Sequence, residues 1–176
     1  MEDVLKEKLE NAGFDVTDPI DVDLSNVKEE RRLVPAANNI LLRIRKVTAR
    51  SNPSGTYRSL NISFQLENGI EIGGEVKYRG TVVFESVCYH ADATVYTKDF
   101  FKKRQHLVAL TQLMKALGRD MNFKIDDEFL SSLEGQAVIG SITQKPNNYT
   151  TKDGVEVKTI VNAVNRFKAV PTTDLV

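Results

Sequence analysis

Between Tyr57 and Leu66 the apolar side chains fall on every second position: Leu60, Ile62, Phe64 and Leu66. An extended chain puts residues two apart on the same side, so this stretch reads as a strand with one apolar face. Asn68-Gly69 turns the chain at its end. The segment before it, Asn39 to Val47, is a strand of the same kind with a looser pattern. Leu42, Ile44 and Lys46 share one face, and Arg43, Arg45 and Val47 the other. Ser51-Asn52-Pro53-Ser54-Gly55 separates the two as a turn or flexible loop.

Strand-like composition returns at Ile70–Glu75 and at Thr81–Tyr89, the latter rich in Val, Phe and Tyr. After Phe100 the period changes. Leu107, Leu110, Leu113, Met114 and Leu117 mark one face of a helix that Gly118 is placed to end. A second short helix is expected over Asp126–Leu130, with acids in its first turn. Gln136–Gln144 and Val155–Phe167 are the last strands, on either side of a long polar loop, Lys145–Gly154. Three strands, a helix and a closing hairpin make the order of a mainly β, five-stranded Greek-key barrel of the OB type, with its helix between the third and fourth strands. That barrel is assigned to residues 35–170. Residues 1–34 read as an acidic arm, with Val4, Leu5, Leu9 and Ala12 on a short helix ahead of an extended linker. Residues 171–176 are a short tail.

Charge adds an asymmetry that the net value of 0 conceals. Residues 1–30 hold ten acids and three bases, net −7, so residues 31–176 carry +7. A basic body behind an acidic arm points to an anionic partner for the body; the blander reading is two solvated surfaces of different sign. The single cysteine, Cys88, excludes an internal disulfide framework and fits a reducing compartment. No apolar run is long enough for a membrane-spanning helix, and the charged start MEDVLKEKLE has no signal-peptide core. The expected location is cytoplasmic, or the host cytoplasm for a viral chain.

Over about residues 40–168 the chain resembles the OB-fold single-stranded DNA-binding proteins of tailed bacteriophages. The likeness rests on the basic first strand Leu41–Lys46 and on Leu133-Glu134-Gly135-Gln136, a step that commonly introduces the fourth strand there. It rests also on the closing hairpin, with Tyr149 in its loop and Val164-Asn165-Arg166-Phe167 on the returning strand. The resemblance implies non-catalytic, largely sequence-independent binding of single-stranded DNA in replication, recombination or repair, with no cofactor. Replication or recombination proteins and further copies of the chain are its expected partners, and membranes are not. Bacterial relatives often carry an acidic recruiting tail at the C-terminus; here Pro171-Thr172-Thr173-Asp174-Leu175-Val176 has one acid, which departs from that pattern.

Holding a single strand takes cations along the phosphates and flat rings under the bases. The two are interleaved at four places. Arg43, Arg45, Lys46 and Arg50 lead to Tyr57 and Arg58, and Lys77-Tyr78-Arg79 sets a ring between two cations. Phe101 is followed by Lys102, Lys103 and Arg104, and the last hairpin carries Lys145, Tyr149 and Lys152. Phe64 and Phe84, in apolar strands, are expected in the core. Cations at a helix start, as at Lys102–Arg104, oppose the macrodipole, and such local conflicts point to a use elsewhere.

Other readings compete. A protein-interaction or virion-assembly barrel without nucleic-acid binding would use the same fold. A nuclease would need Asp126, Asp127 and Glu128 around a magnesium ion, but acids in a first helical turn need no such explanation. Cys88, His90 and His106 do not supply the four ligands of a structural zinc site. There is no G-x-x-x-x-G-K-[ST] phosphate loop and no nucleophile elbow, so the chain is not expected to be an enzyme. The acidic arm has two uses in this scheme: competing with DNA for the basic groove, or recruiting partners.

Overall fold

A computed structural model describes residues 33–171. The acidic arm and its helix, and residues 172–176, lie outside the described residues. Strand β1 runs Ala37–Ser51 and β2 runs Tyr57–Leu66. The alternation of β2 sends Leu60, Ile62, Phe64 and Leu66 fully inward, each at 0% exposure. Full burial of such a side chain contributes about 1.5–3 kcal/mol. In β1 the simple alternation fails just after Ile44. Ile44 pairs with Phe64 but Lys46 pairs with Ser63, so Arg45 is the extra residue of a bulge. The slip returns Val47 to the core at 4% exposure and leaves both Arg45 and Lys46 outside. Lys46 therefore does not share the inward face of Leu42 and Ile44.

The stretch expected as one strand at Ile70–Glu75 is a hairpin: β3, Ile70–Ile72, pairs with β4, Glu75–Lys77. Gly73 and Gly74, at φ 62° and 81°, form its turn in a region that suits glycine. Strand β5 covers Val82–Ala91 and pairs antiparallel with β2. The helix expected to follow Phe100 is broken in two. Helix α1 spans Lys98–Lys102, a 3₁₀ turn spans Gln105–Leu107 and α2 spans Val108–Ala116. Arg104, at φ 53° and ψ 30°, makes the break. Phe101 stacks on His106 across it, with ring centroids 5.1 Å apart and planes 1° from parallel. On an unbroken helix, side chains five residues apart point about 140° away from each other, so the stack requires the break. Tertiary packing has overridden local period.

Helix α3, Asp127–Leu133, begins at Asp126, whose carboxylate accepts a bond from the Phe129 N–H at 3.0 Å. Strands β6, Ala137–Pro146, and β9, Ile160–Lys168, form the closing hairpin. Val155–Phe167 is not one continuous strand. Tyr149–Thr150 and Glu156–Val157 pair as a separate short ribbon, β7 and β8, before β9 begins.

The main sheet is antiparallel, in the order β5-β2-β1-β6-β9. Its edge strands share no ladder, yet they meet. The Glu85 carboxylate on β5 accepts the Val164 N–H of β9 at 2.8 Å and pairs with Lys145 Nζ at 3.0 Å. Inside, Phe64 lies on Phe167 at 5.6 Å between centroids. Helix α2 covers the core with Leu110, Leu113 and Met114, and α3 contributes Leu133. Val34, assigned from the sequence to the arm, is fully buried in this core. Its N–H donates to Asn162 Oδ1 at 2.9 Å, and its carbonyl accepts from Asn162 and Gln144.

Candidate functional site

Cross-strand partners in a sheet project to the same side. The registers of β1, β2 and β5 therefore build the outward face row by row. Arg43, Gln65 and Val82 stand in one row; Lys46, Ser63 and Phe84 in the next; Thr48, Asn61 and Ser86 follow; Arg50, Ser59 and Cys88 end it. Cations line the β1 side, short polar groups the middle, and Phe84 stands on β5 at 69% exposure. Phe84 is thus not a core residue. Glu85 takes the inward position beside it, and the strand alternation sends Phe84 out.

The two small hairpins rise from the end of this face that carries Phe84. The β3–β4 ribbon joins the end of β2 to the start of β5, and Gln65 Nε2 donates to the Gly80 carbonyl at its base at 3.4 Å. Lys145, near the end of β6 from which the β7–β8 ribbon leaves, pairs with Glu85, the neighbour of Phe84. Lys77 and Arg79 belong to the β3–β4 ribbon and its exit, and Tyr149 and Lys152 to the β7–β8 ribbon and its turn. Tyr149 is 51% exposed, whereas Tyr78, at φ 61°, packs partly against the core.

Not every cation on the face is available. Arg43 Nε donates to Glu67 at 2.8 Å and its Nη1 to the Gly135 carbonyl at 2.8 Å, so it ties three segments together. Lys77 pairs with Glu75 at 3.5 Å. Arg45, Lys46, Arg50, Arg79 and Lys152 make no ion pair among the described residues.

No family model matches the chain and no curated protein matches it. The geometry therefore carries the functional argument alone.

At the far end the face is covered. Cys88 and Ser59 are buried although they point outward. Burial pushes the Tyr57 phenol up to about 12, and the neighbouring Cys88 and Tyr96 add to the rise. The same burial pushes up the Cys88 thiol and the Tyr96 phenol. Tyr57, half-buried, stands beside Cys88 and Tyr96 at this covered end of the face.

The remaining sequence candidates lie elsewhere. Arg58 and Arg104 line a separate cleft on the helix side of the sheet. Phe101 already has a ring face on His106, and Lys103 pairs with Asp99 at 3.0 Å one turn away in α1. Lys102 ends α1, exposed. Among the acids considered for a magnesium ion, Asp126 is the cap of α3 and pairs with Lys124 at 3.7 Å. No helix among the described residues is long and apolar enough to cross a membrane.

Proposed function

We propose that the chain binds single-stranded DNA, without catalysis and largely without sequence preference, on the outer face of β1, β2 and β5. The observation that carries this reading is the row Lys46–Ser63–Phe84, an unpaired cation and an open ring in register across three strands. Phosphates would follow Arg45, Lys46 and Arg50 along β1, and a base would stack on Phe84. Tyr149 and the cations of the two hairpins would close over the strand from either side. Ser63 and Gln65 between them are small or flexible enough to let a backbone approach.

The strand order supports an OB-type Greek-key reading of the sheet. The first strand pairs with both the second and the fourth, the helices fall between the third and fourth, and the edges meet at Glu85. Barrels of that kind hold single strands on their second and third strands, flanked by loops. A role in DNA replication, recombination or repair follows from the ligand.

A second reading, a protein-interaction module, draws on exposed apolar side chains in the two hairpins, Val76 at 62% and Val155 at 59%. Titration of oligo-dT at two salt concentrations separates them. Binding that weakens steeply with salt is expected for the first reading. No binding at low salt would end it and leave the second.

A further inference from the structure

On the helix side of the sheet an open cleft of about 450 Å³ lies between the C-terminal end of β5, the 3₁₀ turn and α2. Its size falls within the roughly 300–1,000 Å³ of ordinary ligand sites. Arg58 and Arg104 both line it, and neither has a carboxylate partner among the described residues. Both are exposed, and two guanidiniums on one cleft give it a positive potential that an anion would neutralise. Arg104 is held there in the left-handed region, at φ 53°, which is unfavourable for a residue with a Cβ. The remaining wall mixes rings and apolar side chains, among them Tyr89, Phe123 and Met114, with the polar groups of His90 and Thr111. Phe123 is braced from behind by Phe129, 4.7 Å away and 4° from parallel. Asn122 adds a side-chain amide that can both donate and accept.

We infer that this cleft binds a nucleoside monophosphate. The forked guanidiniums suit phosphate oxygens, which they engage in pairs. The flat base fits against the aromatic wall, with its polar edge toward Asn122. The inference does not rest on DNA binding by the outer face. The same group occurs as a free mononucleotide and as the 5′-phosphorylated end of a strand.

Amide spectra of the ¹⁵N-labelled full chain, titrated with AMP, test it. Saturable shifts at His90, Arg104 and Asn122 are expected, with adenosine or inorganic phosphate alone much weaker. Arg58→Gln and Arg104→Gly should each weaken AMP by about tenfold, the scale of losing a charge-assisted contact. Glycine accepts the left-handed conformation, so Arg104→Gly keeps the fold, and its unfolding temperature verifies that. Arg45→Gln with Lys46→Gln, on the outer face, should leave AMP affinity unchanged. Unmoved amides at millimolar AMP, or equal affinity in wild type and both cleft variants, would overturn the inference. Competition identifies the source. A 5′-phosphorylated oligo-dT displacing AMP better than its 5′-hydroxyl counterpart supports a strand end; equal and weak displacement by both supports a free nucleotide.

Discussion

Phe64 and Phe84 have similar neighbours in the sequence, yet one is fully buried and the other 69% exposed. In β2 a single face is apolar, so Phe64 has one place to go. Around Phe84 both faces are apolar, Val83 and Val87 on one and Val82 on the other, and alternation does not decide between them. What decides is Glu85, which turns inward to meet β9 and sends Phe84 out. Removing an exposed ring takes nothing from the core, so Phe84→Ala should change unfolding stability by less than about 0.5 kcal/mol. If a base stacks there, oligo-dT affinity should fall by about 1–3 kcal/mol. A melt and a DNA titration on the same variant check this, and lost stability with intact affinity would assign the ring to packing. Tyr57 gives a second prediction. Its phenol rises from 10.0 to about 12 on folding, so the folded chain keeps a proton that the unfolded chain has released. The stability this contributes is full below pH 10.0 and decays as pH rises toward about 12. Cys88 and Tyr96 shift the same way and deepen the loss. Thermal melts in that window should show falling stability, and Tyr57→Phe should flatten the fall.

Elements here are shaped as much by their partners as by their own residues. The bulge at Arg45 lets β1 change face, keeping Val47 in the core while two adjacent cations stay in solvent. The break at Arg104 sacrifices helix continuity so that Phe101 can reach His106. Among the described residues, the side-chain hydrogen bonds that reach from β5 to β9 run through one carboxylate, Glu85, with its side chain 11% exposed. Glu85→Gln keeps the shape but loses the charge that holds Lys145 and strengthens the bond from the Val164 N–H. The expected cost is about 1–3 kcal/mol, with faster hydrogen exchange at the Val164 amide. Lys145→Gln should cost less than about 1 kcal/mol, because Lys145 is half exposed. Unchanged exchange at Val164 in Glu85→Gln would mean that the sheet edges are held together by the core instead.

At the scale of the whole molecule, two sets of basic residues lie on different surfaces. One set runs along β1 and the hairpins around Phe84; the other, with Arg58 and Arg104, faces the cleft under the helices. Only the first should contribute to the salt dependence of binding an oligonucleotide with a 5′-hydroxyl end. Replacing Arg45, Lys46 and Arg50 together by Gln should lower the slope of log affinity against log salt by about 2, at roughly 0.7 per phosphate contact on a single strand. Replacing Arg58 and Arg104 should leave that slope unchanged, and an equal change would merge the two surfaces into one site. Much of this fold was legible in the chain itself. The long strands β1, β2, β5 and β6, the face of α2 and most of the core follow from period-two and helical spacing, because burial of one face is written residue by residue. The interleaving of cations with rings was legible too, as composition. Which of those residues meet was not. Arg43, Phe101 and Tyr57 turned toward contacts of their own, and Phe84 and Val34 changed sides. Each of these outcomes depends on a bulge, a helix break or a carboxylate between distant strands. Such features are chosen by competition among contacts far apart in sequence, and no local pattern records that competition.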